Sequence, residues 1–245
     1  MRDLTDTKTL HAPSKQQGKP LDALALVSEF GGRYSAQLGI QLNDLDAAEI
    51  YKWLLAAILY GAPISEKIAM HAWQVLERNG LLTPESIVRT GWDELVNLLD
   101  EGGYARYDHK TATKMLVVSQ TLLDRYAGNL NHLHAAALDS DDLAQRIMGL
   151  SKGIGPVTVQ IFLRELRGRW NKAMPPLAQL AFQAAQVLGF LPQGCDDDHQ
   201  LALTLLQDLW GKSDMPLLNF PDFEAALVRY GLWLRHRSNA INIPK

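Results

Sequence analysis

Ten residues, Gly149-Leu150-Ser151-Lys152-Gly153-Ile154-Gly155-Pro156-Val157-Thr158, combine what is needed to hold an anion: glycines, a lysine and the start of a helix. Ahead of them Ser140 is placed to N-cap an apolar-periodic run, Leu143, Ile147 and Met148, which Gly149 closes. Behind them Pro156 suits the first turn of a second helix, with Val159, Ile161, Phe162, Leu163 and Leu166 as its apolar face and Gly168 as its stop. Gly153 and Gly155 keep the intervening turn free of Cβ atoms, so another backbone can come close. The N–H groups that open the second helix then point to a site suited to a phosphate oxygen, and Lys152 adds a cation. The same pattern describes an ordinary helical corner with glycines for packing alone, and so short a glycine spacing does not separate the two readings.

The charges around this turn are uneven. Residues 152–172 hold Lys152, Arg164, Arg167, Arg169 and Lys172 against the single acid Glu165, while acids gather at Asp139, Asp141 and Asp142 and at Asp196, Asp197 and Asp198. Such a basic run is either a phosphate-facing surface or a solvated helix face. The net charge of −3 argues against wholesale coating of nucleic acid, so any affinity depends on where the basic groups sit. The lone cysteine, Cys195, excludes an internal disulfide framework and a thiolate metal cluster, which fits a reducing compartment. His109 and His199 lack partners at metal-ligand spacing, which argues against zinc.

The elements that must position these groups are helical almost throughout. Residues 1–20 are polar, with Pro13, Gly18 and Pro20, and read as a mobile arm. Helices are expected over 21–30, over 46–59, over 66–78 behind Ser65, and from Thr83-Pro84-Glu85. Others follow Gly91 up to Gly102-Gly103, run over 108–126, over 177–188, over 199–210 and over 223–236. Alternating β-branched runs with hairpin turns are nearly absent, so an all-α fold is expected. Two lobes follow from this order: a central one over 46–169, with the helical hairpin at 141–168, and one built from 21–45 and 170–245. No apolar run approaches the roughly 18 residues of a membrane span, and the segment Met1-Arg2-Asp3-Leu4-Thr5-Asp6 has no apolar signal core. A cytoplasmic protein without membrane contact is expected.

This helix order, with a hairpin about 150 residues in, resembles the helix-hairpin-helix DNA glycosylase superfamily near endonuclease III. Residues 54–62, LLAAILYGA, resemble the apolar helix and turn that begin that family's central domain. Residues 103–112, GYARYDHKTA, resemble its loop before a long helix, and residues 223–231, FEAALVRYG, its late helix. The resemblance implies a two-lobed fold, duplex DNA as partner, damaged or abasic, and base-excision chemistry in which a flipped nucleotide loses its base beside a carboxylate. It places DNA contacts at Lys152, Gly153, Ile154, Gly155 and Thr158, with Tyr104, Arg106 and Tyr107 for stacking and phosphate contacts; two aromatics packing a helix entry would leave the same pattern. The iron–sulfur cluster of many members needs four cysteines, so no cofactor is expected. A monovalent ion, where there is one, falls by resemblance on the backbone carbonyls of Gly149, Ser151 and Ile154.

Alignment on the hairpin puts the family's Schiff-base lysine at Val157 and its catalytic aspartate at Met174 or Ala178, and Ala62 stands where a glutamine fills the gap left by a flipped base. None of these side chains carries charge. Strand cleavage by the lysine route is therefore not expected. Substitutes within the sequence are Lys172 for the amine and Glu165, Asp196, Asp197 or Asp198 for the carboxylate. The resemblance leaves two readings, a base-excision enzyme and an inert lesion-recognition or DNA-architecture module, and it names no protein partner.

Overall fold

The computed structural model describes residues 22–192, 194, 195, 198–213 and 215–241. The expected arm over 1–20 and the candidates Asp196 and Asp197 lie outside the described residues. Among those described the chain is all-α: there is no strand, and one isolated bridge joins Arg167 and Trp170. No helix among them is long and apolar enough to cross a membrane. The chain divides into two compact units, Arg33–Pro176 and the two flanking segments taken together. The divisions fall at 32/33 and 176/177, so residues 33–45 and 170–176 belong with the central unit and not with the terminal one.

The central unit is organised around α3 (Ala47–Tyr60), whose residues from Ile50 to Leu59 are buried with Lys52 the single exception. A helix that is apolar almost all round has to be enclosed by others. It packs against α4 (Glu66–Arg78), α7 (Asp108–Tyr126), α8 (Leu130–Ala136) and α10 (Pro156–Leu166). Polar ties fix two of these contacts: Tyr51 Oη and Ser119 Oγ lie 2.6 Å apart, and Trp53 Nε1 donates to the Phe162 carbonyl at 3.0 Å. Around this centre lie α5 (Pro84–Thr90), α6 (Trp92–Glu101) and α9 (Ser140–Met148), with α5 and α6 both against α7.

Most helix starts follow local capping chemistry. Asp46 caps α3, Ser65 caps α4, and Thr83 and Ser86 form a reciprocal capping box ahead of Pro84. For α9 the cap is Asp139, whose carboxylate accepts the Asp142 N–H at 2.8 Å; Ser140 is the first helical residue, a one-residue correction. Two elements exceed the sequence reading: the single turn α2 (Tyr34–Gln37) and α8, which has only Leu130 and Leu133 fully buried.

The terminal unit packs α1 (Ala23–Phe30), α11 (Gln179–Val187) and α12 (His199–Gly211) around α13 (Phe220–Ile241). Its core includes Leu26, Phe30, Phe182, Leu206, Trp210 and Phe223, with Trp210 and Phe223 stacked at 5.5 Å. At Gly231 a Cβ would run into the Leu180 carbonyl, so glycine lets α13 and α11 approach closely.

The end of α8 is closed by a distant lysine. Lys172 Nζ donates to the carbonyls of His134 at 2.9 Å and Ala137 at 2.5 Å, a cation at a helix C-terminus. The His134 ring stacks on Trp170 at 4.6 Å. Burial first, then the Lys172 charge, lower the His134 pKa against a raising contribution from Asn171. In the unfolded chain this imidazole takes up a proton below about pH 6.5, whereas in the fold it does so only at lower pH. Unfolded chains therefore bind more protons in that window, and stability falls with pH from about 6.5 down to the lowered folded value. Urea titrations at about pH 7.5 and about pH 5.5 should show a lower midpoint in acid, and His134→Gln should flatten the difference; an unchanged pH dependence in that variant refutes the assignment.

Candidate nucleic-acid interface

The hairpin forms between α9 and α10. Gly149 continues the helical turn at φ −71°, Leu150, Ser151 and Ile154 turn inward, and Lys152 and Gly153 stand exposed at the tip. The tip closes through the Ile154 N–H, which donates to the Ser151 carbonyl at 3.1 Å. Gly153 has φ +95°, a conformation that calls for glycine, and the Lys114 side chain lies 3.2 Å from where a Cβ would be. Gly155 differs. It is extended at φ −103°, ψ 177°, a conformation open to any residue, and nothing lies within 4 Å of where its Cβ would be. It is the N-cap of α10, yet no side chain caps that helix, and Pro156 follows without an N–H to satisfy. The opening N–H groups of α10 thus have no side-chain cap, and the space a Gly155 side chain would take is open.

Three lysines cluster here, Lys152 at the tip and Lys114 and Lys110 on α7. Lys114 lies along Gly153, and burial together with the Lys110 charge lowers its pKa. The resemblance covers Lys110 without giving it a role and ends before Lys114; their i,i+4 spacing is the available signal, but only the fold brings α7 against the hairpin.

The basic run itself is largely interior, which corrects both readings of it, as a phosphate-facing surface and as a solvated helix face. Arg164 is buried with its guanidinium over the Tyr34 ring at 5.3 Å. Buried Arg167 donates to the Pro175 carbonyl at 2.6 Å, and Arg169 donates to Asn43 at 2.9 Å. Lys172 closes α8. Only Lys152 of the five is fully exposed.

Other candidates divide in the same way. Tyr104 is only 1% exposed and its hydroxyl donates to the Leu59 carbonyl at 2.7 Å, so it cannot stack on a base; burial pushes that hydroxyl above the usual tyrosine range. Tyr107 is half-buried, and exposed Arg106 lies over its ring at 5.6 Å. Thr158 is buried with its hydroxyl against Gly61, which leaves its backbone N–H, not its side chain, at the start of α10. The Ile154 side chain is buried too, so its contribution is limited to backbone. The carbonyls of Gly149, Ser151 and Ile154 are neutral oxygen donors of the kind a monovalent cation takes, but the Ser151 oxygen already accepts the Ile154 N–H.

The substitute catalytic groups are structural. Glu165 is fully buried, and its two oxygens accept the N–H groups of Tyr34 at 2.7 Å and Ser35 at 2.9 Å, with Arg164 Nη2 at 3.7 Å. Lys172 holds two carbonyls. Asp198 caps α12 through the N–H groups of Gln200 and Leu201. What the fold does bring together is Val157 and Met174, the position aligned with the lysine and one of the two aligned with the aspartate. Val157 and Met174 line one groove with Met148, Leu163, Pro175 and Pro176, and its one charged lining residue is Asp141. Ala178, the other position considered for the aspartate, is the N-cap of α11.

Comparison with protein-family models, with curated proteins and with solved structures yields no match to this chain.

Proposed function

We propose that this chain is a DNA-binding protein of the base-excision type, resembling endonuclease III-like glycosylases, whose helical hairpin grips the backbone of duplex DNA. The observation that carries the reading is Gly155: a glycine that neither its backbone conformation nor its protein neighbours require, at the uncapped start of a helix that follows a turn bearing Lys152 and packed at Gly153 against Lys114, whose charge neighbour is Lys110. A phosphate oxygen fits that space, because the helix start offers N–H donors and the lysines supply charge. Of the two readings the inert module is favoured. Glu165 and Lys172 are bound up in the fold, and Val157 and Met174 leave an apolar groove where charge is needed.

The test uses Gly155→Asp and fluorescence anisotropy with a labelled duplex. Aspartate at an N-cap favours a helix at least as well as glycine, so the variant should unfold no earlier than the parent. Its carboxylate would occupy the anion site, and duplex affinity should fall at least about tenfold. With about three phosphates neutralised, parental affinity should fall roughly 40-fold over a fourfold rise in salt. Binding that ignores both salt and Gly155→Asp overturns the proposal.

A further inference from the structure

We infer that the groove between α9 and α10 docks a segment of a partner protein that presents a large apolar side chain next to a lysine or arginine. This goes beyond the DNA reading and does not rest on it: the groove offers apolar side chains and a carboxylate, whereas the DNA reading uses backbone N–H groups and lysines. The groove has a volume of about 240 Å³, and its apolar walls come from Ala144 and Met148 of α9, Val157 and Leu163 of α10, and Met174 and Pro176. Two wall residues are strongly exposed, Val157 at 59% and Met174 at 62%, and Leu138, in the loop leading to the groove residues Ser140 and Asp141, is 84% exposed. Single exposed apolar side chains are ordinary, but several gathered on a concavity mark a surface that another molecule covers.

The charge at the end of the groove selects the occupant. Asp141 is exposed in the first turn of α9, and its carboxylate has no partner among the described residues. Asp139 caps the helix, and Asp142 is held by Arg146 at 2.8 Å and by the Leu138 N–H. Lys172 donates to the His134 and Ala137 carbonyls and its charge acts on Asp142, so Asp141 is the acid of this turn left without an ion pair among the described residues. An apolar trough ending in an unpaired carboxylate repels a phosphate backbone and attracts a cation carried beside an apolar group. A peptide segment with adjacent apolar and basic residues has that chemistry, and the exposed floor gives it a place to bury its apolar side chain.

The experiment titrates the full chain against a fluorescein-labelled peptide of alternating leucine and lysine, with an alternating leucine–glutamate peptide as control. The expected result is saturable binding of the lysine peptide, weakened at least about tenfold by Asp141→Lys and again by the double variant Val157→Ser, Met174→Ser. These positions are exposed, so circular dichroism should show the variants folded. Amide resonances of residues 144 and 174, groove positions outside the start of α10, should shift on adding the lysine peptide. Equal binding of the glutamate peptide, or indifference to the double variant, overturns the inference. So does a duplex oligonucleotide that shifts the same resonances, or self-association in sedimentation that the double variant abolishes, because each puts a different occupant in the groove.

Discussion

Glu165→Ala should lower the unfolding free energy by about 3–5 kcal/mol, the loss expected when one partner of a buried charged network is removed. The carboxylate is fully buried and accepts two backbone N–H groups from a segment 130 residues earlier in sequence. Its removal leaves those donors unsatisfied and the buried Arg164 guanidinium without its neighbouring anion. Glu165→Gln keeps an acceptor oxygen but no charge, and should fall between the two. Urea unfolding of the three proteins measures this directly. A loss under about 1 kcal/mol for Glu165→Ala would mean that the network is not what holds these elements.

The effect is large because α10 fastens both ends of its unit. Glu165 holds Tyr34 and Ser35 just inside the start of Arg33–Pro176, while Arg167 and Gln160 donate to the carbonyls of Pro175 and Pro176 at its end. The helix that opens at the candidate phosphate site therefore closes the unit at its other turns. This division of labour explains why so little of its charge is available to a ligand. Arg164 and Glu165 in its last turn and Arg167 at its cap are all buried: Glu165 and Arg167 are hydrogen-bonded to backbone outside the helix, while Arg164 lies over the Tyr34 ring with its Nε left without a hydrogen bond among the described residues.

That division was not legible in the sequence. Helix starts were, because Asp46, Ser65 and Thr83-Pro84 act on N–H groups two or three residues away, and the closing glycines act as locally. The hairpin, too, is a short-range pattern. The fate of Arg164 and Glu165 depends on Tyr34 and Ser35, and a charged pair at a helix end looks the same in sequence whether it meets solvent or a distant backbone. Tyr104 misled for a related reason. An aromatic just behind Gly102-Gly103 reads as a loop tip, yet its ring fills a gap beneath α3 and its hydroxyl finds the Leu59 carbonyl. The groove could be half anticipated: alignment marked Val157 and Met174 as uncharged, but only folding set them along one surface.

That surface leads to the second large expectation, that the chain releases no base from single-lesion duplexes and forms no borohydride-trapped complex with abasic DNA. Departure of a base builds positive charge on the sugar, and losing even one well-placed electrostatic stabiliser costs roughly 10²–10³ in rate. Here the amine and the carboxylate expected by resemblance fall on Val157 and on Met174 or Ala178, none of which carries charge, and Val157 and Met174 line the apolar groove. Trapping requires an amine that can attack the sugar, and the Lys172 ammonium is held by two carbonyls at the end of α8. Glu165 cannot reach a ligand without leaving Tyr34 and Ser35. The remaining acid in the groove is Asp141, exposed and in water, where its field is weak compared with that of a carboxylate in a dry pocket. A panel of duplexes, each with one lesion, assayed for free base and for trapped complex, should give the signal of a no-protein control. Release of any base that disappears in Asp141→Asn, or trapping that disappears in Lys172→Ala, would overturn the inert reading and name the group that had taken over the chemistry.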